Sequence, residues 1–310
     1  MSLNVASLTT YIDQERLPII RKFLLEGRTQ QYVTVIPDVK SSSSINLMTT
    51  TLQLQPASSC GWTQSGSTVL SQINASVCPI AYRESICLET LEQYFTQVSM
   101  NPGSYNTEIP FEEVFVNDKV ANISQAIDNL LWQGDTVSGT GNNALCTGLI
   151  RKANTTYSGT VVNGNVNSVT AITAANVVSI VDGAIGVIPS GIVNDDELIL
   201  YCGYDFFRTA ALALRNANLY HYSSVDTGAR DYILDWPASN VKLVAVVGLN
   251  GTNKFFITSK KNIYFFTDLT SDYEQFELWY SKDFNEVRTN CRFKTGIDFP
   301  FADLVVYFKL

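Results

Sequence analysis

Two hydrophobic periods alternate along the chain, and the switches between them mark its elements. From residue 31 to 100 the period is two. "INLMTTTLQLQ" places apolar side chains at alternate positions, and after the Ser/Gly-rich connection "PASSCGWTQSGS" the run "TVLSQINASVCPIAYRESICLETL" resumes the pattern. Alternation with Thr, Val and Ile predicts strands, because successive side chains of an extended chain face opposite sides. Two long strands with a polar connection predict a hairpin over about 38–78 that projects from the body.

After Pro110 the period becomes helical. Val116, Val120, Ile123, Ile127, Leu130 and Leu131 form one stripe. Pro110 suits a first turn, Glu112 and Glu113 suit the positive end of the helix dipole, and Gly134 is the stop. The predicted helix has more than 20 residues and a length of roughly 30 Å. Further on, Thr173 is read as the cap of a helix carrying Val177, Ile180, Val181, Ala184 and Ile185. "ELILYC" reads as a buried strand, and Asp205 as the cap of a second helix to about Asn216. Asn163-Gly164 is a hairpin signal. From 241 onward, short apolar runs separated by turn residues predict strands that complete a sheet begun earlier. At the other end, residues 8–26 read as a helical arm broken at Pro18 and stopped at Gly27, an element that needs a partner surface. The class is mixed α+β.

Composition agrees with a folded body: 45% of the 310 residues are hydrophobic and only 16% are charged. The net charge of -8 gives no general attraction to phosphate backbones, so tight nucleic-acid binding is not expected. Cys60, Cys78, Cys87, Cys146, Cys202 and Cys291 lie far apart with one histidine, His221, which argues against a zinc site and suggests reduced cysteines in an intracellular protein. The N-terminus lacks a basic segment followed by a long apolar core, so a soluble, non-secreted protein is expected and Asn-x-Ser/Thr matches such as Asn74 are fortuitous.

Candidate chemistry is sparse. Gly139 to Ala144 fits G-x-G-x-x-G/A, but it follows a helix where a dinucleotide loop must follow a strand, so these glycines read as a cap and turn. His221 lies in a polar stretch without a nucleophile elbow. Asp195-Asp196-Glu197 reads as a solvated loop before a strand. Neither a catalytic group, nor a cofactor, nor a metal site is assigned. Trp62 has little local core to enter, so it either packs on its own hairpin or anchors on another subunit. Arg83, Arg215, Arg288 and Arg292 punctuate apolar elements, either as solvated faces or as inter-subunit ion pairs.

The order of elements resembles the major capsid proteins of tailed bacteriophages, whose fold is called HK97-like, over nearly the whole chain. "AIDNLLWQGDTVSGTGNNALCTGLI" resembles the end of that family's spine helix. "ITAANVVSIVDGAIGVIP" with "ELILYCGYDFFRTAALALRN" resembles its axial helix, central strand and following helix, and "FELWYSKDFNEVRTNCRFKTGIDFPFADLVVYFKL" its closing strands. "GWTQSGSTVLSQINASVCPIAYRESICLETLE" is similar to the return limb of the extended loop, particularly in capsid proteins of gut Bacteroidales phages.

The resemblance implies an N-terminal arm (1–30), an extended β-hairpin loop with entry strands of a peripheral domain (31–100), and the long spine helix with its glycine-rich turn (101–150). An axial domain (151–245) and closing strands of both domains (246–310) follow. It further implies a non-enzymatic virion protein, assembled in the bacterial host cytoplasm, that forms hexamers and pentamers. These close into an icosahedral shell around double-stranded DNA, without sequence-specific binding and without a membrane. Portal and maturation protease are implied partners, and no scaffolding region precedes the arm, so any scaffold would be separate. Lys40, Trp62, Arg83, Arg215 and Arg288 are, from their own chemistry and placement, the expected inter-subunit contact residues. The covalent cross-link of one branch needs a loop lysine, and Lys40 stands only at the loop's base. The competing expectation is an encapsulin-like cellular nanocompartment of the same fold.

Overall fold

The structure, a computed structural model, describes residues 27–55, 65–87, 111–217, 232–268 and 276–310. The expectations for the arm at 8–26, Pro110, Trp62 and His221 lie outside these residues, as do the Val116, Glu112 and Glu113 side chains.

A short turn of helix, α1 (Arg28–Gln31), leads into strand β1 (Thr34–Ile36) and then into the predicted hairpin. Its two limbs are β2 (Ser42–Thr51) and β3 (Ser67–Ser76), antiparallel from Ser42 opposite Ser76 to Thr51 opposite Ser67. The single period-two run seen in the sequence divides at Val77, after which β4 (Cys78–Cys87) leaves the hairpin for a different sheet. Period two continues unbroken through the division because both segments are extended.

The long helix α2 (Phe111–Gln133) follows. Val120, Ile123, Ile127, Leu130 and Leu131 of the predicted stripe are all buried, and Trp132 is completely so. After the turn come α3 (Leu149–Asn154) and β5 (Val162–Asn163). Then come α4 (Val177–Gly186), β6 (Leu198–Cys202) and α5 (Tyr204–Asn216), and next β7 (Ile233–Asp235) and β8 (Lys242–Ala245). The end of the chain carries β9 (Phe255–Ser259), β10 (Tyr264–Thr267), β11 (Phe276–Ser281), β12 (Glu286–Asp298) and β13 (Val306–Phe308).

Two larger sheets result. In the first, β4 pairs with β12 along one edge, while β11 and then β10 pair with its other edge and β1 joins β10 in parallel. The second has the order β5-β13-β9-β6-β8-β7. Strand β6 is buried on both faces, which is why its sequence is continuously apolar rather than alternating. Leu198, Leu200 and Cys202 face α4 and α5, whereas Ile199 and Tyr201 face the core built around α2. Period two therefore survives as a partition between two cores, and the second sheet is the wall they share.

Three local expectations are corrected. Asn163-Gly164 is not a hairpin turn: β5 runs parallel to β13, with Val162 and Gly164 N–H groups donating to Val305 and Tyr307. The last strand takes the edge that a local partner would have used. Thr173 is not the side-chain cap of α4. Its carbonyl accepts from Val177 N while Asn176 Oδ1 accepts from Thr173 N, a turn that precedes the helix. Asp205 is the second residue of α5, whose N-cap is Gly203; an acid in the first turn still complements the dipole.

Candidate functional site

The β2–β3 hairpin is the feature most exposed to a partner. Among the described residues its strands pair only with each other, so each keeps an open outer edge. An isolated two-stranded ribbon is marginal in water and a template for further pairing. Met48, Val69 and Leu70 on the strands and Leu52 and Leu54 beyond them are more than half exposed, Leu54 at 86%. Cross-strand side chains hold the register instead: Gln72 donates to Asn46 at 2.7 Å and Ser44 to Asn74 at 2.9 Å.

Its root is fixed firmly. Val39 N donates to Thr267 O, Val77 N to Ser41 O, and Lys294 Nζ to both Lys40 O and the Asp268 carboxylate at 2.8 Å. Beside these, Cys78 and Cys146 form a disulfide with a Cα–Cα distance of 5.8 Å. This corrects the expectation that every cysteine is reduced. Cys78 begins β4 and Cys146 follows the glycine-rich turn, and only the packing of α2 against the first sheet brings the two together. Cys202 and Cys291 are free and buried, and burial pushes both thiols up, Cys291 to about 12. Buried thiols of this kind are inert.

The second organised place is Asp128, nearly fully buried in the middle of α2. Its carboxylate accepts from Thr29 N at 3.3 Å and Gly248 N at 3.2 Å, while Trp132 Nε1 donates to Thr29 Oγ1 at 2.8 Å. Burial raises the Asp128 pKa against the opposing effect of these donors. One side chain thus ties α2 to the segment where the arm begins and to the 247–249 turn after β8. A Cβ at Gly248 would lie 2.3 Å from Asp128 O and 2.4 Å from Trp132 Cδ1, so only glycine permits this approach.

A third place is the solvent face of the first sheet. Register places Arg83 opposite Asn290 and Ser85 opposite Arg288, with Trp279 opposite Arg288 on the far strand. Arg83 donates to Asn290, Arg288 pairs with Glu286 at 3.4 Å and stacks over Phe284, and Trp279 and Phe284 are exposed. The opposite face holds Val287, Cys291 and Phe293 against α2, and Lys119 of the helix bridges to Glu84 at 2.8 Å. Burial alone would raise the Glu84 carboxyl, but hydrogen bonds from Lys119 and Tyr82 hold it below its ordinary value.

Of the sequence candidates, Arg83 and Arg288 therefore share one surface, and Lys40 stands beside its Lys294 end at the base of the hairpin. Arg215 is exposed on the last turn of α5, which packs on the other core. Gly139 to Ala144 forms a loop and 3-10 turn after α2, with Gly141 left-handed at φ 58°. Asp195 is held below the ordinary carboxylate range by Ser259 and the Glu197 N–H, while Glu197 pairs with Lys261. No group of three or more metal-ligating side chains occurs among the described residues. Asp128 and the disulfide had no local sequence signal: the helix also carries Glu112, Glu113 and Asp118, and only the place of Asp128 between Ile127 and Leu130 on the apolar stripe sets it apart.

No protein-family model matches the chain and no curated protein matches it. Solved structures do. The satellite phage P4 procapsid, which includes the size determination (Sid) protein, matches with TM-score 0.62 and 12% identity, over 94% of this chain and 89% of the other. The cyanophage A-1(L) capsid asymmetric unit matches with TM-score 0.59 and 11% identity, over 93% of each chain. The virus-like particle from Pyrococcus furiosus matches with TM-score 0.50 and 9% identity, over 95% of this chain and 100% of the other. The fold of this chain is the HK97-like capsid fold, α+β in class.

Proposed function

We propose that the protein is a major capsid protein, a non-enzymatic subunit that assembles through hexamers and pentamers into an icosahedral shell around double-stranded DNA. The observation that carries this reading is the β2–β3 hairpin: two open edges and exposed leucines on a root held by a disulfide, on a fold otherwise known from capsids. Such a ribbon buries its apolar surface only on another subunit. In this reading the arm at 1–30 and the hairpin clasp neighbours. The spine helix α2 supports a peripheral domain made by the first sheet, and 151–245 with β9 and β13 forms the axial domain at the capsomer centre. Arg83, Arg215 and Arg288 make inter-subunit ion pairs, with Lys40 and Trp62 as further contacts. Assembly takes place in the bacterial host cytoplasm with portal, protease and any scaffold as separate partners. The resemblance of the 61–92 segment extends this reading to relatives among gut Bacteroidales phages.

The test is electron microscopy with sedimentation velocity on purified protein across concentration and salt. Closed shells or five- and six-fold rings are expected, and a monomer that persists with every scaffold co-expressed refutes the reading. The full-length match to a virus-like particle favours one alternative, a nanocompartment shell. Nuclease-resistant DNA in purified particles decides for the capsid, and a packaged protein without DNA decides for the compartment.

A further inference from the structure

Cys78 and Cys146 are bonded at the root of the hairpin, yet a bacterial cytoplasm, where the shell is proposed to assemble, keeps protein thiols reduced. The bond therefore has a stage at which it closes. Each partner's backbone is held without it. Cys78 stands opposite Thr295 on the β4–β12 ladder. Cys146 is carried on the end of α2: Gly148 N donates to Gly134 O at 2.8 Å, and a Cβ at Gly134 would lie 2.3 Å from Cys146 O. Sheet and helix packing thus set the Cα–Cα distance of 5.8 Å, which a disulfide spans without backbone movement. Opening and closing the bond needs only side-chain rotation.

The neighbours of the two sulfurs suit thiols as well as a disulfide. Strands β4, β12 and β10 put Cys78, Thr295 and Thr267 in one row, each opposite the next, where facing Cβ atoms are about 4.5–5.5 Å apart. Thr295 and Thr267 are fully buried, and neither hydroxyl has a hydrogen-bond partner among the described residues. Buried hydroxyls are normally paired, and a disulfide has no proton to donate. A thiol at Cys78 supplies a donor to this row. A thiol at Cys146 has an acceptor as well, since its Sγ is 3.8 Å from Thr295 O.

The bond acts at a hinge. At Val77 the hairpin passes into β4 close over Gly296, where a Cβ would lie 2.5 Å from Ser76 O and 3.3 Å from Val77 Cα. Closing the bond joins the first residue after this hinge covalently to the turn after α2. We propose that Cys78 and Cys146 are a redox lock on the hairpin root, a dithiol while subunits assemble and a disulfide once the shell leaves the reducing compartment. The inference rests on the shell reading. Cys78 is half-buried and Cys146 buried, so a small oxidant reaches Cys78 first. The Cys78 thiolate attacks one sulfur of a low-molecular-weight disulfide and expels one small thiolate, which takes up the proton that Cys78 lost. The Cys146 thiolate then attacks Cys78 Sγ, forms the internal bond and expels the second small thiolate, which takes up the Cys146 proton. Two protein thiols are oxidised, and one small disulfide is reduced to two thiols.

The test produces the full-length protein in bacteria and quenches the cells in acid, which stops thiol exchange. Free thiols are alkylated with light N-ethylmaleimide and bonded ones, after reduction, with the heavy reagent; mass spectrometry reads the Cys78 and Cys146 peptides separately from those of the other cysteines. Light label on both is expected in quenched cells, and heavy label on both in purified particles incubated with oxidised glutathione. Heavy label already in quenched cells, or light label that persists in oxidised glutathione, overturns the lock and leaves the shell reading standing. Subunits that never sediment as particles in a parallel lysate remove both. In a second arm, subtilisin cleavage within residues 42–76 of dispersed subunits is expected to be about tenfold slower after oxidation than after reduction. Cys146→Ser should cleave at the reduced rate in either condition. Equal rates for oxidised and reduced wild type overturn the lock.

Discussion

Replacing Cys78 and Cys146 by serine separates what the disulfide contributes from what packing contributes. The two residues are 68 apart in sequence, so the bond closes a long loop of the unfolded chain. The chain-entropy relation gives about 4 kcal/mol at 25 °C for a loop of that size. With an unfolding entropy of roughly 2.1 cal/mol/K per residue, this corresponds to about 6–7 °C in Tm for a chain of this length. The assay is thermal unfolding of dispersed subunits with and without reductant. Wild type should lose this amount on reduction, the double variant should melt near reduced wild type, and adding reductant to the variant should change nothing further. Each single variant should equal the double, since the bond needs both sulfurs. A wild-type Tm indifferent to reductant would refute the reasoning. So would a double variant that stays as sensitive as wild type, because the sensitivity would then belong to other cysteines.

Asp128→Ala should cost about 2–4 kcal/mol by leaving the buried Thr29 and Gly248 N–H groups without an acceptor, read as a shift in the denaturant midpoint at unchanged slope. Gly248→Ala should fold poorly or not at all, because its methyl meets helix backbone at 2.3 Å; wild-type expression and Tm would contradict the described approach. Glu84 has a depressed folded pKa, so its contribution is present above the ordinary carboxylate range and lost as pH falls through the lower folded value. Glu84→Gln should therefore be less stable than wild type by about 1 kcal/mol near neutral pH, with the gap closing in acid; a gap independent of pH would remove Lys119 and Tyr82 as its cause. Arg83→Glu with Arg288→Glu should leave subunit stability within about 0.5 kcal/mol of wild type while changing the salt dependence of association, and unaltered assembly would class that face as merely solvated.

Much of the fold was legible where one period dominates. The α2 stripe, the hairpin limbs and the apolar β6 each carry a signal within their own residues. What escaped reading depends on partners distant in sequence. The division at Val77 leaves no trace because extended chain continues through it, and Asn163-Gly164 has the sequence of a turn but the neighbourhood of the last strand. The Cys78–Cys146 pair could not be read from spacing, since helix and sheet must pack before the sulfurs meet. Of the candidate surface, Arg83 and Arg288 are convergent through β4–β12 register, which no local pattern encodes.

Strand β12 carries a kinetic consequence. It is the scaffold on which β4, β10 and β11 assemble, with Cys87 opposite Glu286 and Cys78 opposite Thr295, yet α2 and most of the second sheet stand between β4 and β12 in the sequence. Contacts this far apart in sequence close slowly, and none of those between β4 and β12 can form before β12 has been made. A nascent chain thus has its hairpin sequence early but lacks the platform that would aim it. Until β12 docks, the hairpin lacks the Lys294 tie at its root, and no fixed direction is imposed on it.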